Sequence, residues 1–255
     1  MLLLWVPAFA GMTGVPLAIP MSESVSPDEL ARFDALAATW WDPDGPMRPL
    51  HRMNPARTAW IAEHIARTFP GAGGLRLLDV GCGAGLASEA LARLGYDVLG
   101  LDAAGQPIEA ARAHAAGQSL PLSYRVGVAE DLLSEGLRFP VITALEVIEH
   151  VPDQAGFIAT LAGLLEPGGL LFMSTLNRTP QAFLAAKVAA EYLLRWLPVG
   201  THDWRKFVTP TELSGMLRNA GLRVADIAGL AADPFSGRWT TSRDLAVNYI
   251  IAAAG

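Results

Sequence analysis

The chain has 255 residues, of which 51% are hydrophobic and 17% charged, and this balance predicts one large globular domain with or without an added cap. The formal net charge of -6 excludes a basic surface field of the kind that holds nucleic-acid phosphates, so we expect no nucleic-acid partner. The single cysteine, Cys82, excludes disulfides within the chain and metal sites built from several cysteines. Cys82 itself is expected to be a small buried spacer.

The first twenty residues differ in composition from the rest of the chain, because they are apolar, uncharged and interrupted by three prolines. The small-x-small run Ala8-Phe9-Ala10 is typical of a signal-peptide cleavage site, but the basic segment that normally precedes such a site is missing. The alternative, which we favour, is that Met21 is the true start. We therefore expect residues 1–20 to be a leader outside the domain and residues 21–255 to form the domain.

Orderly patterning begins at Ser26. The run Ser26-Pro27-Asp28-Glu29 predicts a helix start with a capping box, and Asn54-Pro55 predicts the start of a second helix. The connection between them, WWDPDGPMRPLHRMNP, is rich in prolines, rings and cations. We expect this N-terminal helical region to fold over a ligand as a lid, with packing onto the core for stability as the alternative.

The run LLDVGCGAG, Leu77 to Gly85, predicts a strand that enters a tight glycine loop and then a helix. Asp79 places a carboxylate near the end of the strand, and Gly81 and Gly83 leave out side chains where the backbone turns or approaches a ligand. A second predicted strand ends at Asp102, 21 residues after Gly81, the position from which a carboxylate reaches ribose hydroxyls. The unit predicts a nucleoside site.

Two alternatives stay open for this loop. One is a tight turn in an α/β domain that binds no ligand. The other is a nicotinamide oxidoreductase, but the dinucleotide fingerprint needs a third glycine where this chain has Leu86.

The remaining pattern alternates strands and helices. Strands are predicted at Leu122–Val128, Val141–Leu145, Leu170–Leu176, Leu222–Ile227 and Val247–Ala252, and helices at Phe157–Leu165 and from Thr209-Pro210 onward. With the two strands around the glycine loop, this predicts a doubly wound, mostly parallel, seven-stranded Rossmann-like sheet with helices on both faces. Ligands bind such sheets at the carboxyl ends of the strands, where Gly81, Asp102 and Leu145 would meet.

The strand, glycine loop, helix and acid-tipped strand resemble S-adenosylmethionine-dependent methyltransferases. Five segments narrow the resemblance to the O-methyltransferase of ubiquinone biosynthesis: RFDALAATWWDPDGPMRPLHRMNPARTAWI, LLDVGCGAG, ALEVIEHVPD, EPGGLLFMSTLNRT and VGTHDWRKFVTPTEL. That family methylates ring hydroxyls of polyprenylated phenols at two steps. The resemblance implies S-adenosylmethionine as cofactor, bound by residues at the matching positions. These are Arg57, Gly81, Asp102 and Leu145, and the loop pattern adds Asp79 and Gly83 as candidate cofactor-binding residues.

Methylation of a phenol requires a base or a metal ion that favours loss of the hydroxyl proton, since a free phenol with a pKa of ~10 is mostly protonated at neutral pH. In ALEVIEHV, a helix would place Glu146, Glu149 and His150 on one face. These residues are candidate catalytic groups and candidate ligands for Mg²⁺, which relatives in eukaryotes are understood to use. The alternatives are His150 as a lone general base or in a structural role, with His202 as a further base candidate.

The segment Thr179–Leu197 is mostly apolar, with three charges on one stripe. About seventeen helical residues span ~25 Å, which is short for a bilayer, so we expect an inserted apolar helix that lies at the membrane interface or covers the substrate. A helix packed between the core and a neighbour is the alternative. We expect a cytoplasmic enzyme held peripherally at the inner membrane through this helix and the nearby Arg195, Arg205 and Lys206, with a biosynthetic complex as a further partner.

The chain departs from the family pattern at two places. Pro140 stands where an aspartate usually precedes the fourth strand, and Ala231-Ala232 replace a more polar stretch near the substrate side. We expect these differences to leave cofactor binding intact and to affect how the substrate fits the site. A non-catalytic, membrane-bound assembly factor of the same fold stays open as an alternative.

Overall fold

The computed structural model describes residues 26–184, 204–233 and 236–255. Their centre is one eight-stranded sheet in the order β3-β2-β1-β4-β5-β8-β6-β7. The strands are β1 Arg76–Val80, β2 Asp97–Asp102, β3 Leu122–Val126, β4 Phe139–Leu145, β5 Leu165–Leu176, β6 Arg223–Ala232, β7 Trp239–Ser242 and β8 Asn248–Ala254. The α-helices are α1 Pro27–Leu36, α2 Arg48–Thr68, α3 Leu86–Arg93, α4 Gly105–Ala115, α5 Ala129–Ser134, α6 Gln154–Leu164, α7 Pro180–Ala182 and α8 Pro210–Asn219.

The predicted α/β architecture is confirmed, but the predicted number of seven strands is wrong. Strands β1 to β5 pair in parallel, whereas β8 pairs antiparallel with both β5 and β6, and β7 pairs antiparallel with β6. The additional strand, β7, has four residues, Trp-Thr-Thr-Ser, at the sheet edge. Such a short strand, with its two central residues exposed, has too little apolar alternation to be predicted from the sequence.

The sheet is buried on both faces, which explains the continuous apolar runs of its central strands. Successive residues of β1 belong to different core clusters: Leu78 packs with residues of α6 and α8, and Leu77 packs with residues of α2 and α3. Because side chains alternate across a strand, the two clusters lie on opposite faces of the sheet. The arrangement places the carboxyl ends of β1, β2 and β4 at one open edge.

The N-terminal helices differ from their predicted form in two respects. Helix α2 begins at Arg48 rather than at Asn54, with Pro49 in its first turn and Pro55 inside it. A proline in the first turn loses no helical hydrogen bond, so Pro49 is the effective start signal. The predicted capping box of α1 is also wrong, because the Ser26 side chain makes no capping bond and Glu29 is buried instead.

The predicted helix at 179–197 falls largely outside the described residues. Within them, Thr179 caps the short helix α7 through a bond from the Ala182 amide, and Phe183 and Leu184 follow with exposed side chains. No helix among the described residues combines the length and apolar character needed to cross a membrane. His202, Arg195 and residues 1–20 also lie outside the described part of the chain.

Candidate active site

A cavity of about 510 Å³ opens at the carboxyl ends of β1, β2 and β4. Of the site residues predicted from the sequence, the further base candidate His202 lies outside the described residues, and nine line the cavity: Arg57, Asp79, Gly81, Gly83, Asp102, Leu145, Glu146, Glu149 and His150. The structure therefore brings the predicted cofactor positions and the predicted catalytic positions to one cavity. It adds lining residues from α1 and from the connection between α1 and α2, including Glu29, Phe33 and Trp40.

The glycine loop after β1 turns through left-handed backbone at Gly81 and Gly83, with φ of 68° and 54°. A Cβ atom at Gly83 would overlap the ring of Trp40, and one at Gly81 would overlap Val147. These glycines therefore provide the turn and also leave space for the side chains of Trp40 and Val147. The sequence alone did not predict this close packing. Asp102 closes the loop, because its carboxylate accepts hydrogen bonds from the amides of Gly83 and Ala104, both at 2.8 Å.

Asp79 lies beneath the glycine loop and is almost fully buried. Its carboxylate accepts hydrogen bonds from the hydroxyls of Ser88 on α3, at 2.6 Å, and Thr143 on β4, at 2.7 Å. Burial raises the pKa of Asp79, and these bonds oppose the shift. Asp79 thus ties β1 to its neighbours and sets the position of the loop.

Arg57 on α2 is 3% exposed, and its guanidinium group is a cation in the lining of the cavity. Its Nε donates to Asn54 Oδ1 at 3.0 Å, and Asn54 in turn donates to the Leu86 carbonyl at the start of α3. The Nη1 atom is buried and has no hydrogen-bond partner. Burial lowers the pKa of Arg57, while the Glu146 and Asp79 carboxylates oppose that shift and favour the charged form. An unpartnered guanidinium nitrogen fits the carboxylate of an amino-acid ligand.

The predicted helical face of Glu146, Glu149 and His150 is wrong. Strand β4 continues to Leu145, Glu146 has a left-handed backbone with φ of 58°, and only a short 3-10 turn, Ile148–His150, follows. A non-glycine residue with positive φ at a cavity is a strained position of the kind found at functional sites. The tertiary hydrogen bonds of Glu146 to Ser174 on β5, through backbone and side chain, hold this conformation.

The three side chains bind separate partners. Glu146 accepts from the Ser174 hydroxyl at 2.6 Å, Glu149 accepts from the Thr175 hydroxyl at 2.9 Å, and His150 lies 3.1 Å from a Glu29 oxygen. Within residues 26–184, 204–233 and 236–255, no group of three His, Cys, Asp or Glu side chains is arranged to hold a metal ion. The described arrangement does not form the expected magnesium site.

Glu29 is a site residue that sequence reasoning missed. Its carboxylate lies 3.1 Å from His150 Nδ1 and 3.3 Å from Lys206 Nζ, while Phe33 packs edge-on against the His150 ring at 5.2 Å. The bond from His150 lowers the pKa of Glu29 to about 2, although burial opposes this. Because Glu29 is ionised and can only accept, His150 Nδ1 carries the proton and Nε2 is left as the basic nitrogen of the neutral ring. Lys206 thus pairs with a residue of the cavity lining, and its predicted role at a membrane surface stays a prediction.

The connection between α1 and α2 is attached to the glycine loop and to α4. Trp41 donates from Nε1 to the Ala84 carbonyl at 3.0 Å and stacks on His114 with ring centroids 3.4 Å apart. Asp34 accepts from the Gln106 amide near the start of α4. These contacts hold the N-terminal region against the cavity, and its predicted role as a lid over a ligand stays a prediction.

Three groups at the cavity have raised pKa values. Burial and the neighbouring Glu146 charge raise the pKa of Glu149 to about 7. Burial lowers the pKa of His150, but the bond to Glu29 and the charge of Glu149 outweigh it, so the net shift is upward. Burial also raises the pKa of Glu146. Shifted values at a cavity are typical of catalytic acids and bases.

Comparisons with known proteins identify the family of this chain. A family model described as a methyltransferase domain matches residues 51–227. The ubiquinone biosynthesis O-methyltransferase of Methylobacterium nodulans is 50% identical over 244 residues, covering 91% of this chain and 98% of that protein. The enzyme of the same name from Caulobacter vibrioides is 47% identical over 248 residues, covering 94% of this chain and 98% of that protein.

Solved structures share the fold. Magnesium protoporphyrin IX methyltransferase from Synechocystis PCC 6803, with bound SAH, matches with a TM-score of 0.57 at 18% identity, over 80% of this chain and 82% of that chain. A SAM-dependent methyltransferase from Aquifex aeolicus matches with a TM-score of 0.58 at 14% identity, over 90% of this chain and 98% of that chain. The structural matches establish the fold, and the near-complete matches at about half identity establish more: this chain belongs to the ubiquinone biosynthesis O-methyltransferase family.

Proposed function

We propose that the protein transfers a methyl group from S-adenosylmethionine to a ring hydroxyl of a phenolic intermediate in ubiquinone biosynthesis. The observation that carries the proposal is a single cavity lined by a glycine loop, by Arg57 with its unpartnered nitrogen and by the Glu29–His150 pair. The relatives' shared name indicates the pathway. By the same resemblance, the substrates are polyprenylated phenols and both O-methylation steps are retained.

The cofactor half of the cavity consists of the glycine loop, Asp102 and Arg57. Arg57 would bind the methionine carboxylate, because its buried cation has a free nitrogen there. Asp102 would accept from the ribose hydroxyls at the end of β2. When bound, S-adenosylmethionine supplies a sulfonium methyl group as the electrophile. Leu145, at the end of β4, contributes apolar surface to the same cavity.

His150 is the proposed general base. Glu29 keeps the proton on Nδ1, so that Nε2 accepts the proton of the ring hydroxyl as the oxygen becomes nucleophilic. Glu149, with a pKa of about 7, is the second candidate for this role. The Glu149 carboxylate accepts a hydrogen bond from the Thr175 hydroxyl, whereas His150 Nε2 makes no hydrogen bond among the described residues. This difference favours His150 as the base.

A methylation assay tests the function. The protein is expected to transfer label from S-adenosylmethionine to a short-tailed catechol, and heat-denatured protein is expected to transfer none. Lack of transfer with bound cofactor would favour the non-catalytic assembly factor, and binding of NAD in place of S-adenosylmethionine would favour the oxidoreductase. The resemblance also implies magnesium at Glu146, Glu149 and His150. Loss of activity in excess chelator, restored by magnesium, would establish that requirement, whereas full activity would remove it.

We also propose that the protein contacts the inner membrane, where a polyprenylated substrate resides, through the region that begins at Thr179, and that it joins a biosynthetic complex there. Support comes from Phe183 and Leu184, whose side chains are 39% and 61% exposed, and from Trp204, which packs edge-on against Phe183. Exposed apolar side chains of this size favour insertion into a lipid interface.

Liposome binding tests the membrane contact. Replacing Phe183 and Leu184 with glutamate is expected to weaken sedimentation with liposomes about tenfold or more, because each apolar side chain contributes ~1.5 to 3 kcal/mol when fully buried. Methylation of a soluble catechol should persist. Leu94→Glu is the matched control, because Leu94 is 55% exposed at the end of α3. Equal binding by both variants would contradict the proposed contact.

A further inference from the structure

Two cavity-lining residues each carry a buried polar atom without a hydrogen-bond partner, and the two atoms differ in chemistry. Arg57 Nη1 is a cationic donor, and Asn248 Oδ1 is a neutral acceptor. The methionine carboxylate accounts for the first, since it can accept from a guanidinium. A carboxylate has no proton to offer the second, so Asn248 Oδ1 requires a hydrogen-bond donor, either the ammonium group of the same methionine moiety or a hydroxyl of the substrate.

Asn248 stands at the same sheet edge as the rest of the site. It is the first residue of β8, paired opposite Leu176 of β5, and it is 5% exposed. Its Nδ2 donates to Met53 Sδ at 3.4 Å, and Met53 lies one helical turn before Arg57 on α2. The nitrogen end of the amide is thus engaged, and the oxygen end is the unpartnered one.

The surroundings of Asn248 indicate what this partner is. Leu176, which pairs with Asn248, and Val247, which precedes it, also line the cavity, and both are apolar, so the space beside Asn248 suits an apolar or aromatic ring. A buried acceptor without a partner is costly, and a ligand that brings an O–H donor removes that cost. A phenol with one hydroxyl gives up that proton during methylation, so a lasting donor must come from a second hydroxyl on the ring.

We propose that Asn248 Oδ1 accepts a hydrogen bond from the ring hydroxyl adjacent to the one that is methylated. Asn248 would therefore select phenols with two neighbouring hydroxyls and orient the ring so that one of its oxygens faces the methyl group. This inference rests on the proposed function and adds to it a residue that determines substrate specificity.

The test compares catechol with phenol, which lacks the second hydroxyl. Wild-type protein is expected to prefer catechol by about 10- to 100-fold in kcat/KM, and Asn248→Leu is expected to lose that preference. The same preference should appear in calorimetric binding of catechol and phenol to protein loaded with S-adenosylhomocysteine. The binding measurement needs no turnover, so it stays informative even if the proposed methyl transfer fails.

Asn177→Leu is the matched control. Asn177 is a buried asparagine near the same sheet edge, but its Nδ2 donates to the Leu245 carbonyl and it does not line the cavity. This variant is expected to keep the catechol preference. If Asn248→Leu does not fold, Asn248→Ala makes the same comparison with a smaller side chain.

Three results would overturn the assignment. One is equal binding of catechol and phenol by wild-type protein. Another is an unchanged preference in folded Asn248→Leu. The third is weaker S-adenosylmethionine binding in that variant with the preference intact, which would place the partner of Asn248 on the cofactor instead.

Discussion

Arg57→Met is expected to weaken S-adenosylmethionine binding about 100-fold or more, because it removes charge-assisted hydrogen bonds worth ~1.5 to 3 kcal/mol each. The guanidinium is buried, with Nε held by Asn54 and Nη1 without a partner in the cavity lining. Methionine fills a similar volume without charge, so the change in packing is small. Calorimetric titration with the cofactor measures the loss, and thermal denaturation shows whether the folded state is retained.

The matched control is Arg67→Met, on the exposed part of the same helix. The Arg67 side chain is 58% exposed and contacts Glu63 and His64 rather than the cavity. Its cofactor affinity is expected to equal that of wild type. Wild-type affinity in Arg57→Met would contradict the carboxylate assignment. A parallel loss in Arg57→Lys would show that the fork of the guanidinium, and not its charge alone, is needed.

His150→Ala is expected to lower kcat by about 10²- to 10⁴-fold with little change in cofactor affinity, because a positioned general base contributes that much to proton transfer. Glu149→Gln distinguishes the two candidate bases. If Glu149 is the base, Glu149→Gln should carry the large loss and His150→Ala the small one. Single-turnover methylation of catechol measures both variants without interference from product release.

The Glu29–His150 pair makes a prediction about pH. The Glu29 carboxylate favours protonated His150 and contributes to the raised pKa of that ring. Only the neutral ring accepts a proton, so activity should rise as pH increases through the His150 pKa. Glu29→Gln removes the charge and lowers that pKa, and the rise in kcat/KM should move to lower pH. Glu63→Gln, on an exposed side chain of α2, should leave the profile in place. An unmoved profile in Glu29→Gln would contradict the positioning role of Glu29.

The part of the cavity around the glycine loop was predictable because its signals are local. A strand, a glycine loop and a helix follow one another in the chain, and Gly81 and Asp102 mark the ends of adjacent parallel strands. Parallel strands bring their carboxyl ends together whatever the rest of the chain does. The same reasoning placed Leu145 at the end of β4. The positions of Gly81, Asp102 and Leu145 at strand ends could therefore be predicted without knowledge of distant contacts.

The strand count and the helix ends were less predictable. Strand β7 is a short edge strand, and the true start of α2 at Arg48 competes with an equally good proline signal at Asn54-Pro55. Local propensity does not choose between two such starts, because packing of the helix onto the sheet decides which residues are included.

The sequence by itself therefore determined the α/β architecture, the glycine loop and nine of the residues that line the cavity. Only the tertiary structure decided how the catalytic half is arranged. Glu29 matches a capping box locally, yet it reaches His150, 121 positions away, and Glu146 takes a left-handed backbone held by Ser174. Asn248 reaches the cavity through a strand that pairs antiparallel with β5. The physical reason is that these contacts join segments far apart in the chain, and their geometry depends on how α1, α2 and β8 pack around the cavity, which no local pattern encodes.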